Sequence, residues 1–107
     1  MRTWGFNDGP RCCGDELQNP AGVYNEANFR VMDRIIKAAG DNNVKLIIDL
    51  VNYWGDFGGM QAYMDWTGVS GDQRAFYKTP AAQTMFRNYI SHFLNRTTTL
   101  TGVQYKN

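Results

Sequence analysis

Long hydrophobic runs and an excess of one charge are both missing from this sequence. No run of about 18 apolar residues occurs, so we expect no transmembrane helix. The 11 Lys and Arg residues nearly balance 10 Asp and Glu, for a net charge of +1. Such a chain does not attract nucleic acid or anionic lipid by long-range electrostatics. Residues 1–6 lack a basic region followed by an apolar stretch, so we expect no signal peptide there.

Cysteine and histidine are scarce, with two cysteines and one histidine in the chain. Cys12 and Cys13 are adjacent, and Cα atoms about 3.8 Å apart are closer than a disulfide usually spans. His92 is distant in sequence, so the three side chains form a poor zinc set. The cysteines are therefore either unpaired thiols or partners of cysteines outside this sequence, and we expect no metal site.

Aromatic residues are abundant by contrast. Trp, Tyr and Phe make up 14% of the 107 residues, a length that leaves room for one small domain. Two interpretations stay open at this point: a very aromatic core, or a surface whose rings stack on a ligand.

The first part of the chain predicts a strand, a long loop and a helix. The strand ends near Phe6, where the turn signal NDGP follows. From Glu26 onward apolar residues recur every three or four positions, with Asn25 as N-cap and Gly40 as C-terminal stop. This pattern leaves Asp33 and the neighbouring charged residues for solvent.

The rest of the chain predicts one more strand and two helices. The β-branched run at residues 44–51 is typical of a strand that is covered on both faces. An aromatic loop at 52–59, a short helix at 60–66 and a polar loop to Lys78 follow. Thr79 and Pro80 then begin a helix as N-cap and first helical residue. Its apolar stripe consists of Phe86, Tyr89, Ile90, Phe93 and Leu94. No partner is evident for the tail that follows Asn95.

Strands that alternate with helices predict an α/β fold with right-handed βαβ units and a parallel sheet. Two parallel strands do not form a stable sheet by themselves. Either partner chains complete the sheet, or the sequence is a piece of a larger domain.

Several kinds of catalytic site lack their sequence patterns. The glycine-rich stretch 55–59 matches neither phosphate-binding motif, and His92 has no nucleophile elbow beside it. Paired carboxylates suit glycoside hydrolysis, but spacing alone does not pair Asp49, Asp56 or Asp65, and structural or solvated roles are favoured for them.

Aromatic side chains cluster at the carboxyl ends of both predicted strands, where α/β sheets bind ligands. These side chains are Trp4, Tyr53, Trp54 and Phe57. Amides and carboxylates accompany them, at Asn7, Asp8, Asn52 and Asp56. Rings beside polar groups suit a sugar, whose C–H faces stack and whose hydroxyls hydrogen-bond. The alternative is that the rings fill loop cores.

Two long motifs carry a family resemblance. Residues 2–8 (RTWGFND) resemble the second-strand motif of endo-β-1,4-mannanases of glycoside hydrolase family 5, and residues 45–59 (KLIIDLVNYWGDFGG) resemble the third strand and its loop. Shorter matches continue almost to the C-terminus. The Cys12–Cys13 loop is not a feature of that family.

The resemblance implies a (β/α)8 barrel, of which residues 1–107 are an incomplete segment from about strand two to the approach of strand four. Both catalytic glutamates then lie outside the segment. Arg2 matches the arginine that contacts the nucleophile carboxylate. Trp54, with Tyr53 and Asn52, matches the substrate-binding loop on the glycone side of the cleft, and Trp4 matches an aromatic near the cleft floor.

The implied function is retaining hydrolysis of internal β-1,4-mannosidic bonds in mannan, glucomannan or galactomannan, by a secreted enzyme without metal or organic cofactor. Two alternatives stay open: a non-catalytic carbohydrate-binding or interaction module, and a barrel glycosidase of glucan specificity. We expect the isolated segment to expose strand edges and the helix stripe at Phe86, Tyr89 and Phe93, and to show no turnover.

Overall fold

A computed structural model describes residues 1–10 and 14–107. The order of elements is β1 (Arg2–Trp4), α1 (Glu26–Asp41), β2 (Ile47–Asp49), α2 (Gly59–Thr67), a 3-10 helix (Gln73–Lys78) and α3 (Pro80–Asn95). The expectations for Cys12 and Cys13 concern residues outside the described part. No helix of the described ranges is both long and apolar enough to cross a membrane.

The two strands form a parallel pair, as the α/β pattern predicts. Arg2 is level with Ile47, and Trp4 is level with Asp49. Both strands are shorter than expected, with three residues each. Within the described residues β1 and β2 pair only with each other, so the ladder ends where their overlap ends.

Helix α1 begins and buries its apolar side largely as predicted. The Asn25 side chain accepts a hydrogen bond from the backbone N–H of Asn28 at 3.3 Å. Phe29 and Met32 are buried on the inner side. The expectation that Asp33 faces solvent is wrong: the residue has 0% exposure, because the Arg96 guanidinium binds its carboxylate with N–O distances of 2.8–3.0 Å.

Helix α3 begins at Pro80, as predicted, but the Thr79 side chain does not cap it. The Thr79 hydroxyl donates to the Ala75 carbonyl oxygen at 2.8 Å instead. Tyr89 and Phe93 are buried, which corrects the expectation that both are exposed in the segment. The Tyr89 hydroxyl donates to the carbonyl oxygen of Gly5 and so ties α3 to the end of β1.

The core consists of two clusters. One joins the loop after β1 to α1 and α3, and its buried members are Phe6, Leu17, Phe29, Met32, Tyr89 and Phe93. The other lies between α2, the 3-10 helix and α3, and its buried members are Tyr63, Met64, Phe76 and Ala82. Much of the aromatic content is therefore packing between helices and loops.

Two segments differ from the expectation. Gln73–Lys78 is a 3-10 helix rather than a loop, and the Asp72 side chain caps it by accepting from the Arg74 N–H at 3.0 Å. The tail does have a partner: Tyr105 N–H donates to the Arg96 carbonyl oxygen at 2.9 Å. The Tyr105 hydroxyl also donates to the buried carboxylate of Asp33.

Candidate functional site

One face of the two-stranded sheet is covered by helices and the other is open. A Cβ at Gly5 would lie 2.5 Å from Cγ2 of Ile48 and 2.8 Å from Cζ of Phe93, so this side of the sheet packs against α3. Because side chains alternate along a strand, Arg2 and Trp4 lie on the opposite side. We call this side, formed by Arg2, Trp4, Ile47 and Asp49, the open face.

An ion pair crosses the open face. Arg2 Nε donates to Oδ2 of Asp49 at 2.5 Å. The Arg2 side chain is 72% exposed, and that of Asp49 is 27% exposed. Since the Cα of Arg2 is level with Ile47, the guanidinium reaches along the strands toward their carboxyl ends.

The aromatic loop that follows β2 is held by its own polar groups. Asn52 Oδ1 accepts from the Trp54 N–H at 3.2 Å, and Asn52 Nδ2 donates to the Asp56 carbonyl oxygen at 3.3 Å. The Asp8 N–H donates to the Phe57 carbonyl oxygen at 3.0 Å, which fastens this loop to the one after β1. Asn52 therefore shapes the loop, and its amide is occupied within it.

The aromatic residues named as substrate-binding lie in two groups of rings at this end of the sheet. Trp54 is 65% exposed and meets the half-buried Tyr53 edge-on, with ring centroids 5.2 Å apart. Trp4 is 43% exposed, stacks on Phe6 at 5.0 Å and meets Phe57 edge-on at 5.4 Å. Both tryptophans thus present ring surface to solvent while they pack against neighbouring rings.

Asn7 and Asp8 do not join this surface, although the sequence suggested them as partners for hydroxyl groups. Both are buried. Asp8 Oδ1 accepts from Gln18 Nε2 at 3.2 Å, and the same amide donates to the Tyr63 hydroxyl at 3.2 Å. Burial raises the pKa of Asp8 to about 7, although side-chain hydrogen bonds between Asp8 and both Gln18 and Tyr63 act in the opposite direction.

His92 is a half-buried helix residue, as the sequence indicated. Its ring stacks on Tyr24 with centroids 3.6 Å apart and planes 9° apart. Burial and the Arg96 charge lower its pKa. Across residues 1–10 and 14–107, no three His, Cys, Asp or Glu side chains come together as a metal-binding group.

A family model described as GH family 5 beta-mannosidase-like matches residues 3–107. The chain belongs to glycoside hydrolase family 5.

Curated relatives of the chain include plant mannan endo-1,4-beta-mannosidases. The chain is 39% identical over 109 residues to the putative mannan endo-1,4-beta-mannosidase 4 of Arabidopsis thaliana, covering 98% of this chain and 26% of the relative. It is 38% identical to mannan endo-1,4-beta-mannosidase 1 of the same plant, with 98% and 25% covered. The chain therefore spans about a quarter of the length of the curated relatives it matches.

Solved family 5 structures superpose on almost the entire chain. The endo-beta-1,4-mannanase from Thermotoga petrophila matches with a TM-score of 0.90 and 34% identity, over 99% of this chain and 25% of that one. The endo-1,4-beta-mannanase from Rhizomucor miehei matches with a TM-score of 0.84 and 36% identity, over 98% and 31%. The predicted fold, a partial (β/α)8 barrel, is confirmed. In a barrel the open face points inward, and the carboxyl ends of β1 and β2 lie at the end where family active sites form.

Sequence reasoning missed two features of this region. The pairing of Arg2 with Asp49 depends on the strand register, which the sequence does not specify, although an aspartate inside a β-branched strand was a signal. The burial of Asp8 depends on Gln18 and Tyr63, which are 10 and 55 residues away in sequence, and no local pattern indicates it.

Proposed function

We propose that the protein containing this segment is a retaining endo-β-1,4-mannanase that hydrolyses internal β-1,4-mannosidic bonds of mannan, glucomannan and galactomannan. The observation that carries the proposal is the exposed Trp54 at the carboxyl end of β2. It stands in a segment that aligns over 98% of its length with mannan endo-1,4-beta-mannosidases.

The proposed chemistry uses two glutamates about 5–5.5 Å apart, both outside residues 1–107. One attacks the anomeric carbon and forms a glycosyl-enzyme intermediate, while the other protonates the departing oxygen and later activates water. In this proposal residues 1–107 are an incomplete segment of one catalytic barrel domain. Arg2 binds the nucleophile carboxylate and favours its ionised form through charge-assisted hydrogen bonds.

The segment's further contribution is to binding. The exposed face of Trp54 stacks on the C–H face of a sugar unit, and Tyr53 packs edge-on behind it. Asn52 contributes by setting the loop geometry, since its side chain bonds the Trp54 N–H. Trp4, braced by Phe6 and Phe57, lines the floor of the cleft. No step requires a metal or an organic cofactor, so activity should be insensitive to a chelator.

The full-length protein tests this proposal through release of reducing sugar from mannan, glucomannan, galactomannan and carboxymethyl cellulose. We expect cleavage of the mannans, and a product whose anomeric configuration by NMR is retained. Cleavage of cellulose alone supports the glucan-specific alternative, and binding of mannan without cleavage supports the non-catalytic module. Either result overturns the proposal, as does an inverted product.

A matched pair of variants tests the binding role. Trp54→Ala should raise KM about tenfold through the loss of about 1–2 kcal/mol of stacking, with the melting temperature unchanged. Leu100→Ala, at a 48% exposed position on the tail beyond α3, is the control and should leave KM unchanged. An unchanged KM for Trp54→Ala contradicts the assignment of this ring to substrate.

The substrate also suggests a location. A polysaccharide does not cross a membrane. An enzyme that cleaves internal bonds of an extracellular polysaccharide must therefore be outside the cell. We therefore propose that the full-length protein is secreted, which fractionation of a producing culture tests: the mannan-cleaving activity should be in the medium, and activity confined to washed cells contradicts this.

A further inference from the structure

Arg2 is held on one edge only. Its Nε donates to Asp49 Oδ2, and no other group in residues 1–10 and 14–107 accepts a hydrogen bond from it. A guanidinium carries five N–H donors in a rigid plane, so a partner at Nε fixes the orientation of the two terminal Nη groups. These groups lie on the open face and remain available for a second acceptor.

Asp49 is an unusual residue for its position. Aspartate is depleted in strands, and it lies among β-branched and apolar residues in the run from Ile47 to Val51. Its backbone is already used in the sheet, since its carbonyl oxygen accepts from the Gly5 N–H at 2.8 Å. A carboxylate on the inward face of a barrel is costly unless it is paired, and among the residues that the structure describes its ion-pair partner is Arg2.

We propose that Asp49 is a positioning residue: it holds Arg2 by Nε so that the Nη groups face the nucleophile carboxylate. This inference rests on the function proposed above, in which Arg2 binds that carboxylate. Arg2 then bridges two carboxylates, one on β2 and one supplied from outside the segment. The Cα of Arg2 is level with Ile47, and its guanidinium reaches Asp49. The bridge therefore extends along the open face toward the carboxyl ends of the strands.

Sharing one cation has an electrostatic consequence. The negative charge of Asp49 offsets part of the Arg2 charge that the nucleophile experiences, and like charges disfavour ionisation. Asp49 therefore makes the nucleophile easier to protonate than Arg2 alone would. The charge of Asp49 and its hydrogen bond to Arg2 thus have separable effects on the reaction.

Two substitutions in the full-length protein separate them. Asp49→Asn keeps an oxygen that accepts from Nε but removes the charge, so the acid limb of kcat/KM on a mannan oligosaccharide should move to lower pH by about half a unit or more. Asp49→Ala also removes the acceptor, so kcat should fall about tenfold or more while KM stays within about twofold. Asp41→Asn is the control, because it removes the charge from an ion pair of similar length, with Lys37 at 2.6 Å, on the surface of α1.

The outcomes discriminate the two proposals. If the acid limb of the Asp49→Asn profile coincides with the acid limbs of the parent and of Asp41→Asn, this inference is overturned. The proposed function still stands in that case, provided that the parent cleaves mannan. A parent that does not cleave mannan overturns both. If Asp49→Asn fails to fold by circular dichroism, the ion pair is a stability element and the positioning role is overturned.

Discussion

Two carboxylates with no exposed surface, Asp8 and Asp33, have opposite protonation behaviour. Burial raises the pKa of both, but around Asp33 the hydrogen bonds from Arg96, Tyr105 and the Thr99 backbone and hydroxyl groups outweigh it and hold that pKa well below its ordinary value. Asp8 has neutral partners such as Gln18, and its pKa is raised. The partner's charge therefore decides which buried acid stays ionised.

Asp8 predicts a pH dependence of stability. Its pKa is about 7 in the folded chain and ordinarily 3.8. Between these values the folded state holds a proton that the unfolded state has released, so this contribution is complete at low pH and is lost as the pH rises through about 7. Asp8→Asn stays neutral and keeps an acceptor for Gln18, so it should be more stable than the parent at pH 8, by on the order of 2–4 kcal/mol.

Urea unfolding of the full-length protein at pH 4 and pH 8 measures this difference. The gap between Asp8→Asn and the parent should nearly close at pH 4, where Asp8 is protonated in the folded state and about half protonated in the unfolded state. Asp41→Asn, which alters an exposed carboxylate, should show no such gap. Equal stability of Asp8→Asn and the parent at both pH values contradicts a raised pKa.

At the scale of elements, the two loops at the carboxyl ends of the strands depend on each other. Gly58 has φ +90°, and a Cβ there would lie 2.1 Å from the backbone oxygen of Asp8. The carbonyl oxygen of the neighbouring residue, Phe57, accepts a hydrogen bond from the Asp8 N–H. This hydrogen bond and the close approach of Gly58 to Asp8 hold the aromatic loop against the loop after β1. This contact between the two loops places the Phe57 ring against the Trp4 ring.

Gly58→Ala in the full-length protein should break this contact. The positive φ and the overlap with backbone atoms both oppose a side chain, so the free energy of unfolding should fall by on the order of 2–4 kcal/mol. Gly40→Ala, at a helical position with no atom near its would-be Cβ, should be neutral or slightly stabilising. Thermal melts compare the two variants, and equal effects of both contradict the close approach.

Local patterns predicted the helices well and the long-range contacts poorly. The cap at Asn25 and the proline at residue 80 are local signals, and α1 and α3 begin where these indicate. The burial of Asp33 depends on Arg96, which is 63 residues away, so periodicity alone placed it in solvent. Arg96 is the first residue of the tail, so its contact with Asp33 also gives the tail a partner that the tail's own sequence does not indicate.

The candidate site divides in the same way. The positions of Trp4, Tyr53 and Trp54 were predictable, because Trp4 ends β1 and the other two residues follow β2, and the carboxyl ends of these parallel strands meet at one edge. The role of Asn52 in shaping the loop and the pairing of Arg2 with Asp49 were not, since both depend on atomic geometry after folding. The assignment of the aromatic residues and Asn52 to substrate binding, and of Arg2 to the nucleophile, stays a prediction.

At the scale of the whole molecule, the described residues form a parallel two-stranded sheet with helices on one face. Ile47 and Trp4 on the open face are 67% and 43% exposed. The helix stripe is not a comparable liability, because Tyr89 and Phe93 are buried. Unpaired strand edges and the open face are therefore where a partial barrel lacks its contacts.

A protein made of residues 1–107 alone should aggregate or stay molten, and it should release no reducing sugar from mannan. Its sheet has only two strands, which is too few for independent stability when one face is open. Size-exclusion chromatography, binding of a hydrophobic dye and a thermal melt test this, with the full-length protein as control. A monomer with one cooperative melting transition would show that the helices on one face suffice to fold the segment, and measurable turnover would place catalytic groups within these residues.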